Sequence, residues 1–199
     1  MLAAQGSLLD SATEPTYDPA FGAATRTDLG RGAWLEVVPG WLAGAETLLD
    51  RVLEAAPWAA HERWMYDKVV AEPRLSTRGW SDPPDPVLGM AAALGRRYEL
   101  DLSAVSANLY RDGRDSVAWH GDTAGRRVAT TVVAILVLGA PRRFLLRPRG
   151  GGVAHKMTPA HGDLLVMGGT CQRTWEHAVP KCAAAGVRVA LMFREPGVF

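Results

Sequence analysis

Ala129-Thr130-Thr131-Val132-Val133-Ala134-Ile135-Leu136-Val137-Leu138, closed by Gly139, is the stretch on which the fold turns. With Val128 it forms the longest apolar run in the chain. Thr130 and Thr131 interrupt that run, and it falls well short of the roughly 20 residues a membrane helix needs. It reads as a core strand, not an anchor. Further short apolar or alternating runs, broken by Gly, Asp and Pro, surround it: Ala104–Tyr110, Ser116–Trp119, Arg142–Arg147, Asp163–Met167, Thr174–Ala178 and Val187–Arg194. Seven short strands after Asp101 with no helical pattern between them imply an antiparallel double sheet or barrel.

Upstream of Asp101 the period is helical. Leu48, Leu49, Val52 and Leu53 make one stripe of a helix over Gly44 to Ala56, which Pro57 stops. A second helix is expected to take Asp85 as cap and Pro86 in its first turn, with Val87, Met90, Ala91, Leu94 and Tyr98 on one face. Met1 to about Arg31 is rich in Gly, Ala, Thr, Asp and Pro without a period, and is expected to be an extended or mobile arm with little regular structure. The resulting expectation is an α+β chain, its N-terminal helices packed on a jelly-roll-like sandwich.

The composition excludes several classes. A chain of 199 residues with 48% hydrophobic side chains suits one domain rather than a disordered or repeat protein. With 22 basic and 21 acidic residues, it lacks the footprint of a purely electrostatic nucleic-acid binder, although a local basic patch remains open. Lys68, Lys156 and Lys181 are the only lysines, so arginine dominates, a bias that suits carboxylates, phosphates and bases or a GC-rich genome. Cys171 and Cys182 have no Cys-x-x-Cys spacing, and the first residues show no charged lead into an apolar run; a cytoplasmic protein with inert, reduced thiols is expected, with no membrane partner.

The chemistry centres on Trp119-His120-Gly121-Asp122 and on His177, 57 positions after His120. On a strand or its end, residues i and i+2 point to one side, so His120 and Asp122 can offer an imidazole and a carboxylate to one point. A second histidine from another strand completes a two-histidine, one-carboxylate face that holds Fe(II) and leaves positions open. His-x-Asp alone is equally compatible with a hydrogen-bonded surface pair. The last strand adds Arg188 and Arg194, which share a face with Ala190 and Met192, while Val187, Val189, Leu191 and Phe193 take the other. Their Cα atoms lie roughly 20 Å apart at strand rise, so two inward-leaning guanidinium groups could clamp a small dicarboxylate. Two solvated arginines near a chain terminus are the alternative.

Taken in order, Asn108-Leu109-Tyr110, His120-Gly121-Asp122, Ile135 to Gly139, His161-Gly162-Asp163 to Gly169, His177 and Arg188 to Arg194 resemble the AlkB-type iron(II)- and 2-oxoglutarate-dependent dioxygenases, from roughly Gly32 onward. The resemblance implies a double-stranded β-helix over about 102–199, a substrate lid over about 61–86 and a single dioxygenase domain over 32–199. It implies His120, Asp122 and His177 as iron ligands, and Arg188, Arg194, Asn108 and Tyr110 as the 2-oxoglutarate site. It further implies that O2 and 2-oxoglutarate become succinate and CO2 while an N-methyl group on a damaged DNA or RNA base leaves as formaldehyde. The base must be single-stranded or flipped out. A monomer is expected.

In the Glu72-Pro73-Arg74-Leu75 segment and Gly79-Trp80, which resemble the family lid, Arg74 is expected to meet phosphate and Trp80 either to stack a base or to pack a loop. Trp119 is expected in the core, His161 in a structural turn, and His61 and His155 on the surface. Two departures stand out. Many relatives carry an acidic residue two positions after the metal aspartate, where it can meet an exocyclic amine; here it is Ala124, which leaves the base open. The asparagine often found between the two arginines is Ala190. The same oxidation acting on a small molecule or protein side chain, and a nucleic-acid-binding module without turnover, are the rival readings.

Overall fold

Strands that are buried on both faces must be apolar at every position, and this is why Ile135 to Leu138 shows no alternation. The computed structural model describes residues 13–65, 67–122 and 128–197. In chain order the elements are β1 (Thr16–Tyr17), β2 (Thr25–Gly30), β3 (Ala33–Val38), β4 (Leu42–Ala43), α1 (Ala45–Ala55), β5 (Ala59–Met65), β6 (Lys68–Thr77), α2 (Val87–Tyr98), β7 (Ala104–Tyr110), β8 (Val117–His120), β9 (Val133–Gly139), β10 (Phe144–Pro148), β11 (His155–Met157), β12 (Leu164–Gly169), α3 (Cys171–Thr174), β13 (Trp175–Val179) and β14 (Arg188–Arg194). A major sheet runs β2-β3-β12-β9-β14-β7-β6-β5 and a minor sheet β11-β10-β13-β8, every pairing antiparallel. None of the described helices is long and apolar enough to cross a membrane.

The middle of the major sheet divides two cores by strict alternation. Ala134, Leu136, Leu138, Leu164, Val166, Val189, Leu191 and Phe193 cluster with Leu48, Leu49 and Val52 of α1 and Met90 and Leu94 of α2. Their neighbours Val133, Ile135, Val137, Leu165, Met167, Ala190 and Met192 face the minor sheet, against Phe144, Leu146, Trp175 and Val179. The helices lie where the 3.6-residue stripe placed them, within a residue of each expected end. The cap of α2 differs: it is Pro86, without a side-chain hydrogen bond, and Asp85 makes none there.

Two expectations are corrected. The segment before Arg31 is not devoid of regular structure, because β1 pairs with β4 and β2 pairs with β3. Strand β2 is almost wholly exposed, so it has no apolar alternation to announce it. It is tied down instead by the buried Glu36 carboxylate, which accepts Arg26 Nε at 3.0 Å, Arg97 Nε at 3.0 Å and the Tyr98 hydroxyl at 2.6 Å. The helices also do not precede the strands: four strands come before α1, and the β5–β6 hairpin separates it from α2. That hairpin, in the stretch expected as a lid, extends the major sheet through Leu75↔Leu109 and Thr77↔Ala107.

Candidate metal centre and its two cavities

A one-residue irregularity in β8 builds the site. His177 pairs with His120 while Val179 pairs with Val117, so β8 carries one extra residue between those two pairs. Such a bulge re-aims the side chains beyond it. Val117 packs in the inter-sheet core. The His120 ring lies 4.2 Å from the His177 ring, centre to centre. Trp119, expected in the core, is half-buried and sits beneath the Arg147 guanidinium, 4.0 Å from the ring centre.

Asp122 joins the two histidines, and one ligand atom from each of the three lies within 4.8 Å of the others. Nδ1 of His120 is 2.9 Å from the Ala118 carbonyl. A carbonyl only accepts, so Nδ1 donates to it, and Nε2, 3.6 Å from Asp122 Oδ1, is the ring nitrogen turned toward the cluster. Burial, and then the neighbouring His120, push His177 down to about 3, which keeps it neutral at physiological pH. Burial works to raise the Asp122 carboxyl, but the Arg194 guanidinium at 3.1 Å and the two histidines outweigh it and hold it well below the usual carboxylate range. A neutral His177 and an ionised Asp122 are the protonation states a divalent cation requires of these two ligands.

Arg188 and Arg194 lie on the face of β14 that looks into the space between the sheets, as the alternation predicts. Their surroundings differ. Arg194 reaches Ser106 Oγ at 2.8 Å and Asp122 Oδ2 at 3.1 Å. Arg188 is 1% exposed, lies 5.1 Å from the Tyr110 ring centre, and has neither Nε nor Nη1 hydrogen-bonded. A buried guanidinium with idle donors is costly unless an anion completes it. That is the observation which makes a dicarboxylate fit here. Asn108 and Tyr110 line the same inner cavity. A second cleft, of about 590 Å³, shares Asn108, His120, Asp122, Met192 and Arg194 with it and opens past Arg74, Ser76 and Arg78. The cluster therefore stands at the junction of an inner cavity between the sheets and a larger outer cleft.

Arg74, expected to meet phosphate, lies on the outer cleft, its Nη2 2.9 Å from Glu72 Oε2. Trp80 does not: 7% exposed, it packs in the core beneath the helices, which corrects its assignment as a base-stacking platform and selects the loop-packing alternative. Ala124 lies outside the described residues. His161 is structural, accepting the Gly139 N–H at 2.7 Å. Cys171 is buried, and burial pushes its thiol up to about 12, so it is inert. Sequence reading missed Phe144, stacked on His177 with centres 5.5 Å apart, and Gln172, whose side chain holds Asp122. Residue spacing carries no signal for either.

Two facing antiparallel sheets with a His-x-Asp…His face between them and a buried arginine with two unpaired nitrogens beyond it fit a metal-dependent enzyme that takes an anionic co-substrate. The 2OG-Fe(II) oxygenase superfamily model matches residues 43–194, and the chain belongs to that superfamily, whose members use Fe(II), 2-oxoglutarate and O2. Within it the chain is of AlkB type. It is 30% identical over 168 residues to rat alpha-ketoglutarate-dependent dioxygenase alkB homolog 3, covering 72% of this chain and 57% of that protein. It is 35% identical over 150 residues to the Arabidopsis thaliana DNA oxidative demethylase ALKBH2, covering 61% of this chain and 46% of the relative. The chain thus spans about half the length of these relatives. The solved structure of OsALKBH1 shares the fold at TM-score 0.58 and 14% identity, over 86% of this chain and all of that one. A Trichoplax adhaerens prolyl hydroxylase does so at TM-score 0.60 and 12% identity, over 82% and 84% of the two chains.

Proposed function

We propose that this chain oxidatively dealkylates N-alkylated bases in DNA or RNA. The observation that carries the reading is the junction itself: an inner cavity ending on a buried Arg188 with two unpaired nitrogens, a ligand cluster, and a larger cleft bearing Arg74. His120, Asp122 and His177 hold Fe(II). Arg188 and Tyr110 would take one carboxylate of 2-oxoglutarate, and Arg194 and Asn108, which line the same cavity, would help to orient it. With O2, these groups would supply the oxidation: 2-oxoglutarate takes up one oxygen atom and loses CO2 to become succinate, and the other oxygen atom is added to the N-alkyl carbon, which leaves as formaldehyde from an N-methyl group.

The chain's own residues set the conditions for that step. Asp122 stays ionised and His177 stays neutral, so neither ligand is lost to protonation. Phe144, Ile135 and Val179 line the inner cavity and keep it apolar around the co-substrate. Arg74 and Arg78 offer the outer cleft to a phosphate backbone. A base within a stacked duplex cannot bring its N-alkyl group to a reactive centre, so on this reading the target enters single-stranded or flipped.

Formaldehyde release across single- and double-stranded oligonucleotides carrying methylated bases tests the reading. Release that depends on both Fe(II) and 2-oxoglutarate is expected. Succinate formation with no response to any methylated oligonucleotide would move the substrate to a small molecule or protein side chain. Oligonucleotide binding without succinate would leave a binding module.

A further inference from the structure

Strand β8 ends at His120, so Asp122 has no strand partner to fix its backbone. What it has is Gln172. This side chain, 2% exposed in α3, accepts the Asp122 N–H on Oε1 at 3.1 Å. The same short helix closes over the residue between the ligands. A Cβ at Gly121 would lie 2.7 Å from the Gln172 carbonyl oxygen and 3.2 Å from that of Trp175, and would collide with the Arg149 guanidinium. Arg149, just past β10, in turn donates Nε to the Arg173 carbonyl at 3.0 Å and Nη2 to the Gln172 carbonyl at 3.4 Å. Helix α3 leads without a break into β13 and His177. One four-residue helix therefore connects the segment bearing Asp122 to the strand bearing His177.

We propose that Gln172, braced by Arg149, is a positioning residue that holds the Asp122 carboxylate in register with the two histidines and thereby sets metal affinity. The inference rests on the reading of His120, Asp122 and His177 as the metal site. A ligand on an untethered loop must be ordered when the metal binds, whereas a backbone hydrogen bond orders it beforehand. Gly121 is the necessary complement, because no side chain fits between the carbonyls of α3 and the ligand loop. Removing supports of this kind typically costs about 10–100-fold in metal affinity.

The test is titration of the metal-free full chain with Co(II), read both as a dissociation constant and through the visible absorption of the bound ion. Gln172→Met keeps the size of the side chain and loses the acceptor. It should weaken Co(II) binding about 10–100-fold and alter the band intensities. Gln172→Glu, which still accepts the Asp122 N–H, should remain close to wild type. Wild-type affinity in a folded Gln172→Met protein overturns the inference. Should Gln172→Met not fold, Arg149→Met decides: this arginine is exposed, weakened Co(II) binding supports the brace, and unchanged binding overturns it. Asp122→Ala separates the two levels. If it binds Co(II) as tightly as wild type, the metal-site reading fails and takes the inference with it. If it loses binding while Gln172→Met does not, only the inference fails.

Discussion

The two faces of β14 show how one strand serves stability and chemistry at once. Toward the helices it presents Val189, Leu191 and Phe193, each 0% exposed and surrounded by apolar side chains. Toward the minor sheet it presents Arg188, Ala190 and Met192, also buried, and the half-buried Arg194, so that this face ends in charge. The first face is complete as it stands. The second is complete only with an anion, because Arg188 keeps two nitrogens without partners. Burial alone therefore does not mark a stabilising residue. The polarity of what is buried, and whether it is satisfied, separates a core from a site.

The largest effect that should sharpen this contrast comes from Arg188→Met. A buried carboxylate that loses its guanidinium binds weaker by about 2–5 kcal/mol, so the 2-oxoglutarate requirement should rise by about thirty-fold to several thousand-fold. The metal-free variant should melt no lower than wild type, since an unpaired buried charge has been exchanged for an apolar side chain. A lower melting temperature with an unchanged 2-oxoglutarate requirement would make Arg188 a structural residue and break the contrast. On the opposite face, Leu191→Ala should cost about 2–5 kcal/mol in denaturant unfolding and leave the 2-oxoglutarate requirement of the folded fraction unchanged.

A smaller effect is expected from pH. His177 is pushed down to about 3 in the folded chain against an ordinary value of 6.5, so below pH 6.5 the unfolded chain takes up a proton that the folded chain refuses. Its contribution is fully present above pH 6.5 and declines as pH falls toward 3, by at most about 1.4 kcal/mol per pH unit. Between pH 6.5 and about 4.5, before carboxylates titrate, the metal-free protein should lose stability, and a folded His177→Gln variant should lose less. Parallel pH profiles would assign the slope elsewhere. The smallest effect should follow Arg74→Gln, a few-fold weakening of oligonucleotide binding that is similar for all sequences, with 2-oxoglutarate dependence intact. A change in lesion preference instead would make Arg74 a reader of the base.

These contrasts also explain what the sequence made legible. The period of two along Val187 to Arg194 separated the arginines from Leu191 and Phe193, and the apolar runs located β7, β9, β10, β12 and β13 to within a few residues. Strand β2 stayed hidden because an exposed edge strand has no hydrophobic signature, and only the buried Glu36 network reveals why it holds. His120, Asp122 and His177 could be named, but the bulge that turns His120 inward could not, since an irregularity in pairing exists only between two strands. Trp80 was ambiguous for a related reason. An aromatic after Gly79 suits a platform or a plug equally, and the choice depends on the space beneath it, which the helices and Val105 close. Gln172 reaches Asp122 across 50 positions and belongs to no spacing rule.

Oxidation of co-substrate and of substrate should be coupled at the cluster. Wild-type chain loaded with Fe(II) and given a single-stranded oligonucleotide bearing N-methylated adenine or cytosine should form succinate and formaldehyde in equal amounts. Asp122→Ala, folded and under the same conditions, should form neither. Equal product yields from the Asp122→Ala protein, or succinate from wild type with no formaldehyde from any methylated strand, would contradict it.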